Sequence, residues 1–225
     1  MLCNNLIFQQ FVRSGHYCPP NSAYPTVTPL GNFASGDGSV APTVCFPGTY
    51  APLEGQIVCS LCPAGHFCPG YGTYIPSICS AGSYRMQMNS VSCVLCETGT
   101  FSFDTGAPDI SYCLPCPPGR VCGVQGMSNL TSSTLCPSGH ICGYGTDLTR
   151  EVAHKSPAGF FTSPGSTADI QYDTPCSGGY MCSRGTPVSY QNRTKCSVGY
   201  FCPPGSPAKL PSVSCPVQVT FRSIL

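Results

Sequence analysis

Apolar residues along this chain follow neither a helical nor a long strand period. Nowhere do they recur at helical spacing over three turns, and no long alternation of apolar and polar residues appears. Pro or Gly interrupts the chain every few residues, which excludes long helices. We therefore predict short two-stranded hairpins and no helix beyond about two turns. A membrane-spanning helix needs about 18 consecutive apolar residues, and no apolar run in this sequence is that long.

Cysteine is the residue type that decides the fold class. The chain has 225 residues, of which 19 are Cys, 24 Pro and 25 Gly. This cysteine content is typical of a disulfide scaffold, in which crosslinks replace a conventional hydrophobic core. The sequence thus predicts small disulfide-rich repeats with little regular secondary structure, in an extracellular or cell-surface protein.

The cysteines form two frames that alternate irregularly. The short frame, Cys-x-x-Gly-x-apolar-Cys, runs over 62–68, 116–122, 136–142, 176–182 and 196–202. The long frame begins in the same way but closes later, over 45–59, 79–93 and 96–113. A half copy, Ser14-Gly15-His16-Tyr17-Cys18, has Val12 in place of the first Cys.

The head shared by both frames predicts a sharp turn. Gly three residues after Cys takes a positive φ without steric cost. The turn should fold the following apolar side chain back over the disulfide. The rings expected there are Tyr50, Phe67, Tyr84, Phe101 and Phe201.

One incomplete copy indicates how the cysteines pair. Ser156 replaces the first Cys of a long frame, and Asp173 stands where its closing Cys belongs. Loss of both positions together is expected of a bridged pair, because losing one leaves a free thiol. A crossed scheme, such as 59–68 with 62–79, stays open, since spacing does not prove connectivity.

The bridges that this argument favours close each frame on itself. They are Cys45–Cys59, Cys79–Cys93, Cys96–Cys113, Cys62–Cys68, Cys116–Cys122, Cys136–Cys142, Cys176–Cys182 and Cys196–Cys202, with Cys3–Cys18 as a possible ninth. Cys215 resembles the head of another frame whose partner lies beyond Leu225.

The frames divide the chain into four parts. We expect a partial module over 1–18, a Pro-, Gly-, Ser- and Thr-rich linker or insert over 19–44, tandem repeats over 45–214 and a truncated repeat over 215–225. The segment 1–13 lacks the basic start and continuous apolar region of a signal peptide, so we expect a fragment edge or a missing signal.

The paired heads Cys59-Ser-Leu-Cys62-Pro-Ala-Gly and Cys113-Leu-Pro-Cys116-Pro-Pro-Gly resemble the ephrin-receptor-like cysteine-rich repeat, which is similar to the first-type module of TNF receptors. The resemblance covers about Gly15 to Cys215. It implies small β-hairpin-like modules along an extended rod. It carries no ligand-contact residue, because cysteines and glycines define the family. The short frames and the missing pair at Ser156 and Asp173 depart from its pattern.

Catalytic, metal and cofactor sites are not predicted. The Cys-x-x-Cys pairs beginning at Cys59, Cys93 and Cys113 could suggest zinc, but single cysteines outnumber paired ones. The frame position of three histidines holds Arg or Tyr in other copies, which favours an exposed polar spacer; the histidines are His16, His66 and His140, and their substitutes are Arg120, Tyr180 and Tyr200.

The charge of the chain and its N-glycosylation sequons indicate which partners and modifications to expect. The net charge is +1 and no basic run occurs, so no nucleic-acid partner is predicted. Asn129 and Asn192 are N-glycosylation acceptors, and Thr26, Thr28 and Ser206, which lie near Pro, are candidate O-glycosylation positions.

The resulting hypothesis is an extracellular structural glycoprotein that serves as a stalk, coat or filament subunit. Charged residues are only 8% of the chain, and 12 Tyr and 11 Phe exceed what small modules bury. We therefore expect self-association into a polymer, or contact with other surface proteins. The alternative is a ligand-binding receptor ectodomain, with an enzyme excluded.

Overall fold

Short strands and tight turns make up the whole of the fold. The computed structural model describes Cys3, residues 12–207 and the backbone of residues 213–214. The first strands are β1 (His16–Tyr17), β2 (Thr26–Val27), β3 (Asn32–Phe33), β4 (Thr43–Val44), β5 (Thr49–Tyr50), β6 (Ser60–Leu61), β7 (His66–Phe67), β8 (Ser77–Ile78), β9 (Ser83–Tyr84) and β10 (Val94–Leu95). Next come β11 (Thr100–Phe101), β12 (Leu114–Pro115), β13 (Arg120–Val121), β14 (Thr134–Leu135), β15 (Phe161–Thr162), β16 (Thr186–Pro187), β17 (Tyr200–Phe201) and β18 (Val213–Ser214).

The helices are single turns. All those in the described residues are 3-10 helices, namely η1 (Ile110–Tyr112), η2 (Leu130–Ser132), η3 (Ala168–Ile170) and η4 (Val188–Tyr190). The prediction of a disulfide-rich fold of small hairpins with little helix is confirmed. None of the helices in the described part of the chain has the length or apolar character to cross a membrane.

The chain divides into two compact units. The first comprises Met1–Glu97, Phe101–Leu114 and Gln125–Asn129, and the second comprises Thr98–Thr100, Pro115–Val124 and Leu130–Leu225. In the first unit, β1–β2, β3–β4, β5–β6, β7–β8 and β9–β10 are antiparallel pairs. In the second, β13–β14 and β17–β18 are antiparallel and β15–β16 is parallel.

Two turns of positive φ recur in every copy of the repeat. The first turn is the predicted glycine, which we call the head glycine: Gly15, Gly31, Gly48, Gly65, Gly82, Gly99, Gly119, Gly139, Gly159, Gly179 and Gly199. The second turn follows six or seven residues later, at Asn21, Gly38, Gly55, Gly72, Asn89, Gly106, Gly126, Gly145, Gly165, Gly185 and Gly205. No other described residue has a positive φ. The head glycines therefore define the repeat, whether or not cysteines accompany them.

Backbone hydrogen bonds join each copy to the next in a constant pattern. Between the copies headed by Gly48 and Gly65, the amide-to-carbonyl bonds are Cys62 to Gly48 (2.9 Å), Gly48 to Cys68 (2.8 Å), Ala51 to Thr73 (3.0 Å) and Gly72 to Cys45 (2.8 Å). In the second unit the copies headed by Gly119 and Gly139 repeat it, with Cys136 to Gly119 (2.9 Å), Gly119 to Cys142 (2.9 Å), Cys122 to Thr146 (2.9 Å) and Gly145 to Cys116 (2.8 Å). We call this pattern the ladder. It satisfies buried backbone groups that these short strands leave unpaired.

The core consists of cystine sulfurs and small side chains. The positions three residues before and three residues after each head glycine lie against the ladder. Cys62 and Cys68 occupy them in one copy, and both are fully buried. Where cysteine is absent, most of these positions hold small buried residues such as Thr28 and Ala34; the exception is the half-buried Arg85, three residues after Gly82. Few large side chains are buried in these copies, so crosslinks and backbone hydrogen bonds carry the fold.

Nine disulfides connect all eighteen cysteines of the described residues. They are Cys3–Cys18, Cys45–Cys59, Cys62–Cys68, Cys79–Cys93, Cys96–Cys113, Cys116–Cys122, Cys136–Cys142, Cys176–Cys182 and Cys196–Cys202. These are the pairs that the frames favour, and the crossed scheme does not occur. Cys215 lies outside the described residues. Short and long frames have the same backbone arrangement. The ladder forms both where the second Cys lies three residues after the head glycine and where it lies near the end of the copy.

Copies of two lengths share one ladder. Head glycines are mostly 17 residues apart up to Gly99 and 20 residues apart from there on. Each 3-10 helix lies in a longer copy, between the second turn and the next head. The three added residues therefore form a turn outside the ladder. The helix η1 explains why Cys96 and Cys113 are 17 residues apart, whereas Cys79 and Cys93 are 14 apart.

The segment 19–44, expected as a linker or insert, follows the same repeat. It contains β2, β3 and β4 and the head glycine Gly31. Thr28 takes the first cysteine position, where its hydroxyl donates to the Gly15 carbonyl at 2.8 Å. Ala34 takes the second and donates its amide to the Gln56 carbonyl at 2.9 Å. The segment is a copy without cysteines, which cysteine spacing alone does not reveal. The expected truncated repeat over 215–225 lies outside the described residues.

The copy headed by Gly159 offers a direct test of the shared cysteine positions. Its Ser156 and Thr162 are both buried, at 0% and 1% exposure, and the Ser156 hydroxyl has no hydrogen-bond partner among the described residues. Equivalent short-frame cysteines elsewhere have Cα atoms 5.7–6.2 Å apart. We predict that Ser156→Cys with Thr162→Cys forms a tenth disulfide and stabilises this copy by about 2 kcal/mol.

Mass spectrometry of the non-reduced double variant should show the new crosslink, and chemical denaturation should give the stability gain. Ser156→Cys with Asp173→Cys is the matched comparison, because it rebuilds the long frame instead. Two free thiols in the Ser156→Cys, Thr162→Cys protein would contradict the prediction.

Candidate functional site

The cysteines of each Cys-x-x-Cys pair belong to different disulfides. Cys59 is bonded to Cys45 and Cys62 to Cys68, so neither sulfur is available as a thiolate ligand. Among the described residues, no group of three or more His, Cys, Asp or Glu side chains is arranged to hold a metal ion. The cysteines therefore act as crosslinks in the structure.

The histidine position packs against the local backbone. His66 Nδ1 lies 3.2 Å from the Ala64 carbonyl oxygen, and His140 Nδ1 lies 3.4 Å from that of Ser138. Arg120, at the equivalent position, donates to the Ser133 hydroxyl at 2.9 Å. Each side chain thus ties the first strand to nearby backbone or to the following loop. His16, His66 and His140 lie in different copies of the repeat.

Large apolar side chains lie exposed at two recurring positions of the first unit. One precedes the second strand of each hairpin and the other ends that strand. We call them the apolar pairs: Tyr24 and Val27, Val40 and Val44, Ile57 and Leu61, Tyr74 and Ile78, and Val91 and Leu95. Their exposed fractions run from 36% to 80%. Five consecutive copies therefore present the same kind of uncovered side chain.

A shallow depression is lined by one member from each of two of these pairs. Phe67, Ile78 and Leu95 line it, with Ser80, Ser83, Ser92 and Cys93 at its margin. Ile78 also packs over the second turn of the same unit, where its Cδ1 approaches Gly106. The ring of Phe67 is half-buried, while Ile78 and Leu95 expose 54% and 52%. The surface is apolar, open and without a charged side chain.

Charge is distributed unevenly along the chain. Between residues 24 and 95 the charged side chains are Asp37, Glu54 and Arg85. From residue 130 to residue 207 they are Asp147, Arg150, Glu151, Lys155, Asp169, Asp173, Arg184, Arg193 and Lys195. The strand position that holds Leu61 or Ile78 in the first unit holds Lys155 and Lys195 in the second. The weakly charged surface thus coincides with the apolar pairs.

Two half-buried aspartates begin turns in the longer copies. Hydrogen bonds from the Thr149 hydroxyl and from the Thr149 and Arg150 amides lower the pKa of Asp147. Bonds from Ser111 likewise lower the pKa of Asp109, at the start of η1. Both carboxylates cap local turns.

The candidate glycosylation positions differ in accessibility. Thr28 is fully buried, so the expectation that it carries an O-glycan is wrong; its place in the core of the cysteine-free copy explains why. Thr26 is exposed and Ser206 half-buried. Asn192 is exposed, whereas Asn129 is half-buried.

The ring expected to cover the last short-frame disulfide does not do so. Phe201 exposes 58% of its surface, although Phe101 is buried at 6% in the equivalent position. Tyr50, Phe67 and Tyr84 are half-buried. Rings at this position therefore differ in their cover, whereas most side chains beside the ladder are small and buried.

Sequence reasoning also missed the second turn and the apolar pairs. The second turn carries Gly or Asn six or seven residues after the head, a signal visible once the copies are aligned on the head glycines. The apolar pairs become visible in the same alignment.

No protein-family model matches the chain, and no curated protein sequence matches it either.

Proposed function

We propose that this chain is a structural subunit of an extracellular coat or filament, which packs against copies of itself through the apolar pairs. Nine disulfides in one chain are typical of proteins that fold and act in an oxidising compartment. The observation that carries the proposal is the recurrence of exposed apolar side chains on a weakly charged, crosslinked backbone.

The apolar pairs supply enough surface for association. Their ten side chains expose roughly 1,000 Å² in total, taking on the order of 100 Å² for each half-exposed large side chain. A stable interface buries about 800 Å² per partner. Apolar surface of this extent usually marks an interaction site in a soluble protein. Because the pairs recur over five copies, a second chain with the same spacing can meet several of them at once.

Charged side chains placed at these positions should prevent association without unfolding the chain. We predict that Leu61→Lys, Ile78→Lys and Leu95→Lys together convert a concentration-dependent polymer into a monomer. The fold should persist, because Lys155 already occupies the equivalent strand position, where its Cδ lies beside Gly185 as Ile78 lies beside Gly106. Light scattering over a range of concentrations, with negative-stain microscopy, measures the change.

Leu135→Lys is the matched control. Leu135 has the same position in the second unit and a similar exposure of 54%. It should leave assembly nearly unchanged, since its neighbours in the repeat are charged or prolyl. A native chain that stays monomeric at high concentration would refute the proposed function.

The alternative function is a ligand-binding receptor ectodomain of the ephrin-receptor-like type. The depression of Phe67, Ile78 and Leu95 supports it, since an open apolar surface with polar margins also suits a protein ligand. The same measurements separate the two functions. A monomeric native chain whose Ile78→Lys variant loses binding to a cell-surface partner favours the receptor.

A further inference from the structure

The two N-glycosylation sequons of the chain lie in different structural settings. Asn129-Leu130-Thr131 leads into the helix η2, and Asn192-Arg193-Thr194 follows the helix η4. We propose that Asn192 carries an N-linked glycan and that Asn129 does not. The proposal rests on the proposed extracellular location, because N-glycans are added in the secretory pathway.

The backbone around Asn192 is fixed, while its side chain is free. The Arg193 amide donates to the Tyr190 carbonyl at 3.1 Å, and the Met181 amide donates to the Thr194 carbonyl at 2.8 Å. The Arg193 guanidinium lies 4.2 Å from the centre of the Tyr190 ring. These contacts leave the Asn192 carboxamide exposed, without a hydrogen-bond partner among the described residues.

The side chain of Thr194 plays no part in the ladder. Thr194 is exposed, and its contribution to the fold is the backbone carbonyl that Met181 binds. Both side chains that define the sequon therefore face solvent on a loop held by backbone hydrogen bonds. A bulky, hydrated glycan attached there displaces no packed group.

Asn129 is held by its surroundings. It is half-buried, and its Nδ2 lies 3.4 Å from the Ser128 hydroxyl. The next residue begins η2, whose Leu130 carbonyl accepts bonds from Ser133 Oγ at 2.7 Å and Arg120 Nη1 at 3.3 Å. A glycan on Asn129 would replace a hydrogen of its side-chain amide, which is partly covered and lies beside η2. Its addition therefore competes with the folding of the copy.

The chemistry needs one co-reactant, a lipid-diphosphate-linked oligosaccharide. Nδ2 of Asn192 forms a bond to the anomeric carbon of the first sugar and loses one amide proton to a base of the transferase. The bond from that carbon to the diphosphate oxygen breaks, and the lipid diphosphate leaves with the electron pair. Asn192 is the only residue of this chain whose bonds change, and Thr194 completes the sequon that the transferase recognises.

The full chain, secreted from cultured eukaryotic cells behind a removable leader, provides the test. Enzymatic removal of the glycan in ¹⁸O-labelled water converts a glycosylated Asn to labelled Asp, which peptide mass spectrometry locates. We expect the label at position 192. Asn192→Gln and Thr194→Ala should abolish it, Thr194→Ser should retain it, and Asn129→Gln should leave it unchanged.

Two results would overturn the proposal: secreted, fully oxidised chain without a glycan at Asn192, or a comparable label at Asn129. Neither bears on polymer formation, which light scattering of the same material measures separately. Conversely, a monomeric chain with a glycan at Asn192 refutes the structural function and leaves the modification site intact.

Discussion

Reduction of the disulfides is expected to unfold the ladder under otherwise native conditions. The buried positions beside the head glycines hold cystine sulfurs or small side chains, and few large apolar residues are buried. Burial of so little apolar surface does not offset the conformational entropy of an ordered chain. Ladder amides such as those of Gly48 and Gly65 should therefore exchange slowly in the oxidised protein and rapidly after reduction.

Hydrogen exchange with mass spectrometry, before and after reduction and thiol alkylation, measures this effect. A reoxidised sample serves as the control for irreversible damage. Protection that survives alkylation of all cysteines would show that crosslinks are not what holds the fold.

Removal of a single disulfide should have a local effect. Cys62→Ser with Cys68→Ser should cost about 2 kcal/mol, since it opens a short loop. The ladder joins each copy to its neighbours, so exchange should accelerate near Gly48, Gly65 and Gly82 and remain slow in distant copies. Ser60→Ala with Ser77→Ala, at exposed positions of the same region, is the matched control.

Substitution of a head glycine should be more damaging than its small size suggests. Gly82 has φ +82°, and a Cβ built on it would lie 2.1 Å from the Gly126 carbonyl oxygen. Gly82→Ala therefore combines a left-handed conformation, which costs about 1–2 kcal/mol, with a clash against backbone. We expect a loss of at least about 3 kcal/mol in the stability of this region, measured by chemical denaturation and limited proteolysis.

Two comparison variants separate the clash from the conformation. Gly70→Ala places its Cβ in open space and should change stability by less than about 0.5 kcal/mol. Gly55→Asn keeps a positive φ, and its Cβ meets Val27 Cγ2 at 3.4 Å and the Gly15 carbonyl oxygen at 3.8 Å, which are ordinary contacts; Asn already stands at the equivalent position as Asn89. It should be tolerated. Equal losses in Gly82→Ala and Gly55→Asn would refute the role of close backbone packing.

The sequence predicts the crosslinks better than the way in which copies join. The spacing of Cys45, Cys62 and their equivalents identifies the frames, and the head glycines predict the first turn. The bonds from Gly48 to Cys68 and from Ala51 to Thr73 are between backbone atoms, and no side-chain pattern encodes them. As a consequence, the copy that contains Thr28 and Ala34 was not predicted, because it has no cysteines and the frames were found from cysteine spacing.

The surface was only partly predictable for a similar reason. Composition indicates that apolar side chains must be exposed, but it does not say which ones. Val44 and Leu61 each come directly before a fully buried cysteine, yet they expose 36% and 52%. The difference between Asn129 and Asn192 likewise depends on the turns around them, which the sequons themselves do not specify.

Most of the length variation between copies falls after the second turn, which has a consequence for sequence change over time. Copies of 17 and 20 residues keep the same ladder, because the added residues form turns such as η2 and η3 outside it. Insertions at this point meet little selection from the fold, whereas the segment between the head glycine and the second turn varies by only one residue. The repeat can thus acquire new surface peptides, epitopes or receptor contacts copy by copy. Duplication of whole copies adds further sites for such diversification, and the buried framework stays the same.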